Sequence, residues 1–298
     1  MRITRHMLPV QGPVQLRLFH ALPGGTGIRD QQDLMSYPFF SLAKGARAKP
    51  IEYEQGQVSI LVEGVVEIGI ATIWDADVLI WAASQIAAAH NLGMPTSRYM
   101  ASSMHDILRF IGRGVSLRDY QRLRAALDRL QSTTVITTLR AGNLRKQHRF
   151  SWINEWRELA HTSGRSAGLE VILPDWFYAG VKDESMLLSL HPGYFQLTGG
   201  LARWLYRLAR KHGGRQRGGW RFPLRHLHTR SGSVLRYSDF SLEIRKLAAR
   251  ALLDYHLWIE KDLHIGSWVF RNRFPMLQHA FHHHLDHLPN MGQCLFVG

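Results

Sequence analysis

Two stretches of this sequence repeat one order of helical and extended patterns, and this repetition restricts the possible folds more than any other feature. In the first stretch, Ser116 and Asp119 resemble the capping box of a helix whose apolar stripe runs from Tyr120 to Leu130. A short helix is predicted just before it, at 104–111, and two extended patterns follow it, at 133–139 and 145–153. With the helix predicted at 75–90, the order is three helices, the last of them basic, followed by a hairpin, and this is the order of a winged helix.

The second stretch predicts the same order. A helix, a short strand and a short helix are expected at 201–212, 220–222 and 224–228, before a longer helix that we expect Ser238 to cap. The strands of a second hairpin are predicted at 255–259 and 267–270. The sequence therefore predicts an α+β fold of tandem winged-helix domains, each a helix-turn-helix with a β-hairpin. A single α+β domain without internal duplication is the alternative.

The charge of the chain indicates its class of partner. Lysine and arginine number 37 against 23 acidic residues, a net charge of +14. Such an excess suits a polyanion, which is more often nucleic acid than an anionic membrane. No apolar run approaches the ~20 residues that span a bilayer. We therefore expect double-stranded DNA as partner and no membrane, with a merely basic soluble protein as the alternative.

The positive charge is concentrated in two zones. Residues 98–150 contain eleven lysines and arginines against three acids, and residues 201–250 contain thirteen against two. Together they hold 24 of the 37 basic residues. Two separated zones predict two DNA-contacting modules rather than one diffuse basic coat.

Four segments are predicted along the chain. Residues 1–35 lack periodicity and contain Pro23, Gly24 and Gly25, so we expect a flexible N-terminal arm. The other three are a first winged-helix-like domain at 36–165, a second, DNA-binding one at 166–275 and a His-rich C-terminal tail at 276–298. The first domain also contains a predicted strand at 58–62 and a predicted helix at 75–90.

Candidate DNA contacts follow from helical and hairpin geometry. An outward arginine can bond the O6 and N7 atoms of guanine together, so base contacts are expected on the longer helix of the second domain, from Ser241, Arg245, Lys246 and Arg250. The predicted basic helix and hairpin of the first domain add Arg118, Arg122, Arg129, Arg145, Lys146 and Arg149, and a glycine-framed turn adds Arg215 and Arg217. The hairpin residues suit phosphate contacts. On the helix at 201–212, Arg203, Arg207, Arg210 and Lys211 are expected to face outward.

Long ordered blocks of the sequence are typical of one family. Two of them read Pro38-Phe-Phe-Ser-Leu-Ala-Lys44 and His148-Arg-Phe-Ser-Trp-Ile-Asn-Glu-Trp156. Others lie at 30–35, 69–77, 79–86, 108–114, 125–134, 173–178, 197–201, 203–207 and 210–216. In these blocks the sequence closely resembles the replication initiator protein A (RepA-like) family of bacterial plasmids. The resemblance implies a protein that binds repeated sequences at a plasmid origin, opens or prepares an A·T-rich segment and helps to load the host helicase. It is compatible with tandem winged helices, and by analogy we expect the first unit to supply a homodimer surface.

Two other functions are weighed against initiation by DNA binding alone. A winged-helix transcriptional regulator would share the same elements. A metal-dependent nicking initiator would use a pair such as His226 and His228, but the predicted helix or turn around them does not suit that chemistry. The tail histidines at 282–284 and 287 are expected to be exposed rather than metal-bound. We therefore expect no catalytic residue, no metal and no cofactor.

Two absences in the sequence bear on mechanism and location. No Gly-Lys dipeptide occurs, so no P-loop is present and unwinding needs a recruited host motor. The single cysteine, Cys294, cannot form an internal disulfide, and this is typical of a reducing cytoplasm.

Overall fold

The computed structural model describes residues 17–140, 147–160, 162, 166–213, 220–261 and 268–273. The helices of these residues are α1 (Gln32–Ser36), α2 (Ala76–Asn91), α3 (Met104–Phe110), α4 (Leu117–Ser132), α5 (Asp175–Lys182), α6 (Gly200–Gly213), α7 (Leu224–Ser231) and α8 (Tyr237–Ala248). The strands are β1 (Phe19–His20), β2 (Arg29–Gln31), β3 (Ile51–Gln55), β4 (Val58–Glu63), β5 (Tyr99–Ser102), β6 (Thr134–Thr137), β7 (His148–Ser151), β8 (Glu155–Ala160), β9 (Ser166–Ile172), β10 (Leu187–Ser189), β11 (Arg221–Pro223), β12 (His256–Lys261) and β13 (Trp268–Arg273). The fold is a mixture of helices and sheets, as predicted.

The described strands form four sheets. Two are four-stranded, in the orders β1-β5-β9-β8 and β3-β4-β6-β7. The others are the three-stranded β11-β13-β12 and the pair β10-β2. Apart from the parallel pair β1 and β5, neighbouring strands are antiparallel.

One order of elements occurs twice in this topology. The first unit runs α2, β5, α3, α4 and the hairpin β8–β9, and the second unit runs α6, β11, α7, α8 and the hairpin β12–β13. In each unit, the strand before the helix pair bonds to the second hairpin strand, β5 to β9 and β11 to β13. Each turn between the paired helices begins with a glycine at positive φ, Gly112 at 66° and Gly232 at 60°. The two units therefore share sheet order as well as element order.

The hairpin predicted across 133–153 forms, but it belongs to a different sheet from the one expected. Strands β6 and β7 pair with each other, and β6 continues onto β4. The hairpin that completes the first unit is β8–β9 instead, and β6–β7 is inserted before it. Side-chain alternation identifies a strand without identifying its partner. The predicted domain boundary between residues 165 and 166 consequently lies inside the β8–β9 hairpin.

The described part of the predicted N-terminal arm is packed rather than flexible. Phe19, Leu34 and Met35 are buried in the hydrophobic core, and β2 pairs with β10. Residues 1–16 lie outside the described residues, as does the predicted His-rich tail at 276–298. The burial of these apolar side chains stabilises the segment more than its turn-forming glycines destabilise it.

Two of the four cations of α6 that were expected to face outward are buried instead, while Arg210 and Lys211 are half-buried. Arg203 and Arg207 are 3% and 1% exposed. Both are paired with buried aspartates, Asp77 and Asp30 respectively, which are distant in sequence. A buried cation is tolerated only with such a partner, and helical spacing alone does not reveal it. One core cluster contains α6 together with residues from Phe19 to Leu257.

Candidate nucleic-acid interface

Helix α4 is anchored by its cap and its apolar stripe. The Ser116 side chain accepts from the Asp119 backbone N–H, and the Asp119 side chain accepts from Ser116, which confirms the predicted capping box. These hydrogen bonds lower the pKa of Asp119, so its carboxylate is charged beside the positive helix N-terminus. Leu123 and Leu127 are buried and hold the opposite face in the core.

The outward face of α4 presents two of the predicted arginines. Arg118, Gln121 and Arg122 are exposed and lie one helical turn apart or adjacent on one face. Arg122 is 56% exposed and lies 3.7 Å from the Asp119 carboxylate, a weak surface contact. Both cations can therefore reach a polyanion. Gln121 was missed from the sequence, although its spacing of three residues from Arg118 places it on this face.

Arg129 differs from these two because it faces the protein. Its guanidinium donates to both oxygens of Asp75, at 2.7 and 2.8 Å. The Asp75 side chain is 3% exposed, and its hydrogen bonds with Arg129 raise the pKa of the guanidinium. Arg124 makes a similar bidentate pair with Glu158 of β8. These arginines attach α4 to α2 and β8 and are not part of the outward face.

Helix α8 begins two residues earlier than the sequence predicted. Its N-cap is Arg236, so Ser238 lies in the first turn instead of capping it, and the Ser238 Oγ contacts the Asp239 carboxylate at 3.3 Å. Phe240, Ile244 and Leu247 are buried, as their spacing predicted. This stripe orients the rest of the helix.

The outward face of α8 presents Leu242, Arg245 and Lys246. Leu242 is 50% exposed, and Lys246 is 60% exposed, 2.6 Å from the Glu243 carboxylate. Ser241, expected among the base contacts, is only 6% exposed, and its hydroxyl donates to the Tyr237 carbonyl at 2.8 Å. Ser241 therefore lies on the protein side, and Leu242 is the neighbouring outward residue that the sequence reasoning missed.

The remaining candidates divide into exposed residues and residues outside the described part. Arg250 is exposed just beyond the end of α8, and Arg149 is exposed on β7 opposite Ile136. Four predicted contacts lie outside the described residues: Arg145, Lys146, Arg215 and Arg217.

The two histidines of the alternative nicking site lie on helix α7 and contact different partners. The Nε2 atom of His226 lies 3.1 Å from the Gln55 Oε1 atom, while that of His228 lies 2.7 Å from the Leu235 carbonyl. Burial lowers the pKa of His226. Within the described ranges, no group of three His, Cys, Asp or Glu side chains is arranged to hold a metal ion.

Comparison with known proteins places the chain in a family. The family model described as Replication initiator protein A matches residues 29–257. The chain belongs to this replication initiator family. A protein of Wigglesworthia glossinidia brevipalpis described as "Putative replication protein" is 30% identical over 254 residues, which cover 84% of this chain and 90% of that protein.

Two solved structures share the fold of this replication initiator. The crystal structure of selenomethionine derivatives of domains 2 and 3 of RctB superposes with a TM-score of 0.57 at 14% identity, covering 81% of this chain and 98% of that one. A second structure of RctB domains 2–3 gives a TM-score of 0.52 at 14% identity, covering 79% and 94%. No helix among the described residues has the length and apolar character needed to cross a membrane.

Proposed function

We propose that this replication initiator acts on a plasmid origin by binding repeated double-stranded DNA sequences non-covalently through two winged helices. The first unit and the second unit each form one of them, with α4 and α8 as the helices that enter the major groove. The observation that carries the proposal is that these two topologically equivalent helices both present exposed cations outward, Arg118 and Arg122 on α4 and Arg245 and Lys246 on α8.

The chemistry of each outward face suggests its role. On α8, Arg245 and Lys246 suit guanine edges, and the apolar Leu242, one helical turn before them, suits a thymine methyl group. On α4, Gln121 suits adenine, while Arg118 and Arg122 add phosphate or guanine contacts. Arg149 and Arg250 lie outside both helices and suit phosphates. The large net charge supplies the salt-dependent part of the affinity.

Initiation would then depend on host proteins. The family resemblance supports recruitment of a host helicase and host initiator proteins in the cytoplasm, with no bond in DNA broken by this chain. His226 and His228 bond to different partners, which favours this non-enzymatic function over nicking. The first unit, by analogy, would supply a homodimer surface.

The proposal is tested by mobility shift with the full chain and Mg²⁺. The probes are the intergenic DNA of its own plasmid, a single palindrome from a promoter and a shuffled fragment of equal length. Tight cooperative binding to direct repeats supports initiation, whereas binding only to the palindrome favours the transcriptional regulator. A denaturing gel of the same samples detects a nick or a covalent protein–DNA product, either of which would overturn the non-enzymatic proposal.

A further inference from the structure

The two units are joined by buried ion pairs between α6 and the first half of the chain. Arg203 of α6 donates to both Asp77 oxygens of α2, at 2.7 and 2.9 Å. Asp77 also accepts from Arg113, which lies between α3 and α4, at 3.0 Å. The buried Asp77 carboxylate thus bonds both to the second unit and to the turn that precedes α4 in the first unit.

A second set of bonds attaches the α7–α8 helix pair to residues 36–55. The Arg230 Nε atom of α7 donates to the Ser36 carbonyl at 2.7 Å. In the opposite direction, Arg47 donates to the Gly232 carbonyl in the turn between α7 and α8, and also to the carbonyls of Lys49 and Pro50. The turn of the second helix pair is therefore bonded directly to the first half of the chain.

Two glycines show how closely the halves approach each other. A Cβ atom on Gly200, at the start of α6, would lie 2.1 Å from the Leu42 carbonyl oxygen. A Cβ atom on Gly232 would lie 2.9 Å from the Cβ of Pro38. The contact at Gly200 is with the backbone and the contact at Gly232 is with the Pro38 side chain, and both restrict sliding between the halves. Domains of one chain usually move relative to each other, and such close approaches oppose that motion.

We infer that this interface holds α4 and α8 at one separation and orientation, so that the protein reads two half-sites only at a fixed spacing. Asp77, Arg47 and Arg230 would then be positioning residues that determine spacing without contacting DNA. Directional hydrogen bonds with buried partners resist rotation in a way that apolar contact alone does not. The spacing preference rests on the proposed DNA-binding function, whereas the rigidity does not.

The rigidity is measured without DNA by electron-spin distance measurement on the full chain. Cys294 is replaced by serine, and spin labels are attached at Asp128→Cys on α4 and Asp239→Cys on α8, both exposed positions. We expect one narrow distance distribution, which broadens in R47M and further in R47M/R230M. The control is R98M, because Arg98 also donates to a carbonyl, that of Leu173, without touching the second unit. A broad distribution before any interface substitution would overturn the inference and leave the proposed function intact.

The spacing is measured with the unlabelled protein on origin repeats in which base pairs are inserted between the half-sites. An insertion of half a helical turn, about 5 base pairs, should weaken binding by about 100-fold, since the linked units can no longer engage together. In R47M/R230M the penalty should shrink by about tenfold, while R98M retains it. Circular dichroism verifies that each variant folds, and R47M alone serves if the double variant does not.

The outcomes separate the two ideas. Equal binding at every spacing by the unsubstituted protein would overturn the inference, although the protein would still bind DNA. A narrow distance in a protein that binds none of the probes would refute the DNA-binding proposal, and with it the role of the interface in spacing.

Discussion

The Arg207 Nε atom donates to the Asp30 carboxylate at 2.7 Å, and both side chains are almost completely buried. The pair joins α6 to the middle of β2, across 177 positions of sequence. It lies at the centre of the molecule, where the residues before α1 meet the helix that begins the second unit. The charge of Arg207 therefore contributes to the assembly of the fold instead of to an external ligand.

Breaking this pair should cost far more stability than breaking a surface pair. Arg207→Met leaves Asp30 buried without its cation, and a loss of about 3–5 kcal/mol in the free energy of unfolding is expected. Lys246→Met removes an exposed partner of Glu243 and should cost about 0–1 kcal/mol. Urea unfolding of both variants measures the difference. The double variant Asp30→Asn/Arg207→Met should recover part of the loss, and equal losses from Arg207→Met and Lys246→Met would contradict the buried pairing.

A histidine at the end of α6 should make the fold sensitive to mild acid. Burial lowers the pKa of His212 to about 3, and its ring lies against Trp220 and Phe222. Because the folded pKa is below the unfolded value of about 6.5, the unfolded state takes up the proton first as pH falls. Above pH ~6.5, His212 has no effect on the free energy of unfolding. Below pH ~6.5, it should lower that free energy by about 1.4 kcal/mol per pH unit until about pH 3.

His212→Phe should remove this dependence, so its unfolding free energy should fall less than that of the parent protein between pH 7 and pH 5. Leu92→Phe adds the same aromatic group at an exposed position without changing an ionisable residue, so it is the control and should leave the slope unchanged. Urea titrations across this range supply the slopes. Identical slopes for the parent and His212→Phe would show that His212 does not titrate as described.

The outward residues of α8 should determine sequence preference, and the inward one should not. Arg245→Ala is expected to lose about 1–3 kcal/mol on the specific site and less on random DNA. Ser241→Ala should change neither, because its hydroxyl bonds to the Tyr237 carbonyl within the helix. Fluorescence anisotropy with specific and shuffled probes measures both. A loss of specificity in Ser241→Ala as large as that in Arg245→Ala would contradict the assigned orientation of α8.

The outward arginines of α4 should contribute mainly to salt-dependent affinity. Arg118→Ala/Arg122→Ala should weaken specific and random binding alike and lower the slope of log affinity against log salt by about 2. Arg157→Ala on β8 is a suitable control because its exposed guanidinium already contacts Glu155. Titration from low to moderate salt gives the slopes, and an unchanged slope in the double variant would remove α4 from the interface.

Local features of this fold were predictable from the sequence, whereas long-range partners were not. The capping box of Ser116 and Asp119 and the buried stripe of α8 depend on neighbours within a few residues, and both were confirmed. The inward positions of Arg203 and Arg207 depend on Asp77 and Asp30, which are more than 120 residues away. Helical periodicity places a charged residue outside by default, since a buried charge needs a partner that the pattern does not display.

The sequence pattern also did not reveal the sheet partner of the predicted hairpin or the outward face of α8. The sequence located β6 and β7 but assigned them to the first unit, because alternation does not say that β6 bonds to β4. Ser241 lies beside Phe240 and three residues before Ile244, a spacing that already places it near the buried stripe. Because its side chain is polar, Ser241 was predicted to face outward, and the apolar Leu242, which does face outward, was not predicted to do so.

Methylation protection of guanine N7 atoms on the origin repeats tests whether both helices enter the major groove, where this atom lies. We expect two clusters of protected guanines in each repeat, about one helical turn apart, with no strand cleavage. The cluster contacted by Arg245 of α8 should be lost in Arg245→Ala, while the cluster that α4 shields from methylation remains. Protection of a single cluster per repeat, or of phosphates alone with every guanine N7 reactive, would contradict the binding of two winged helices in the major groove.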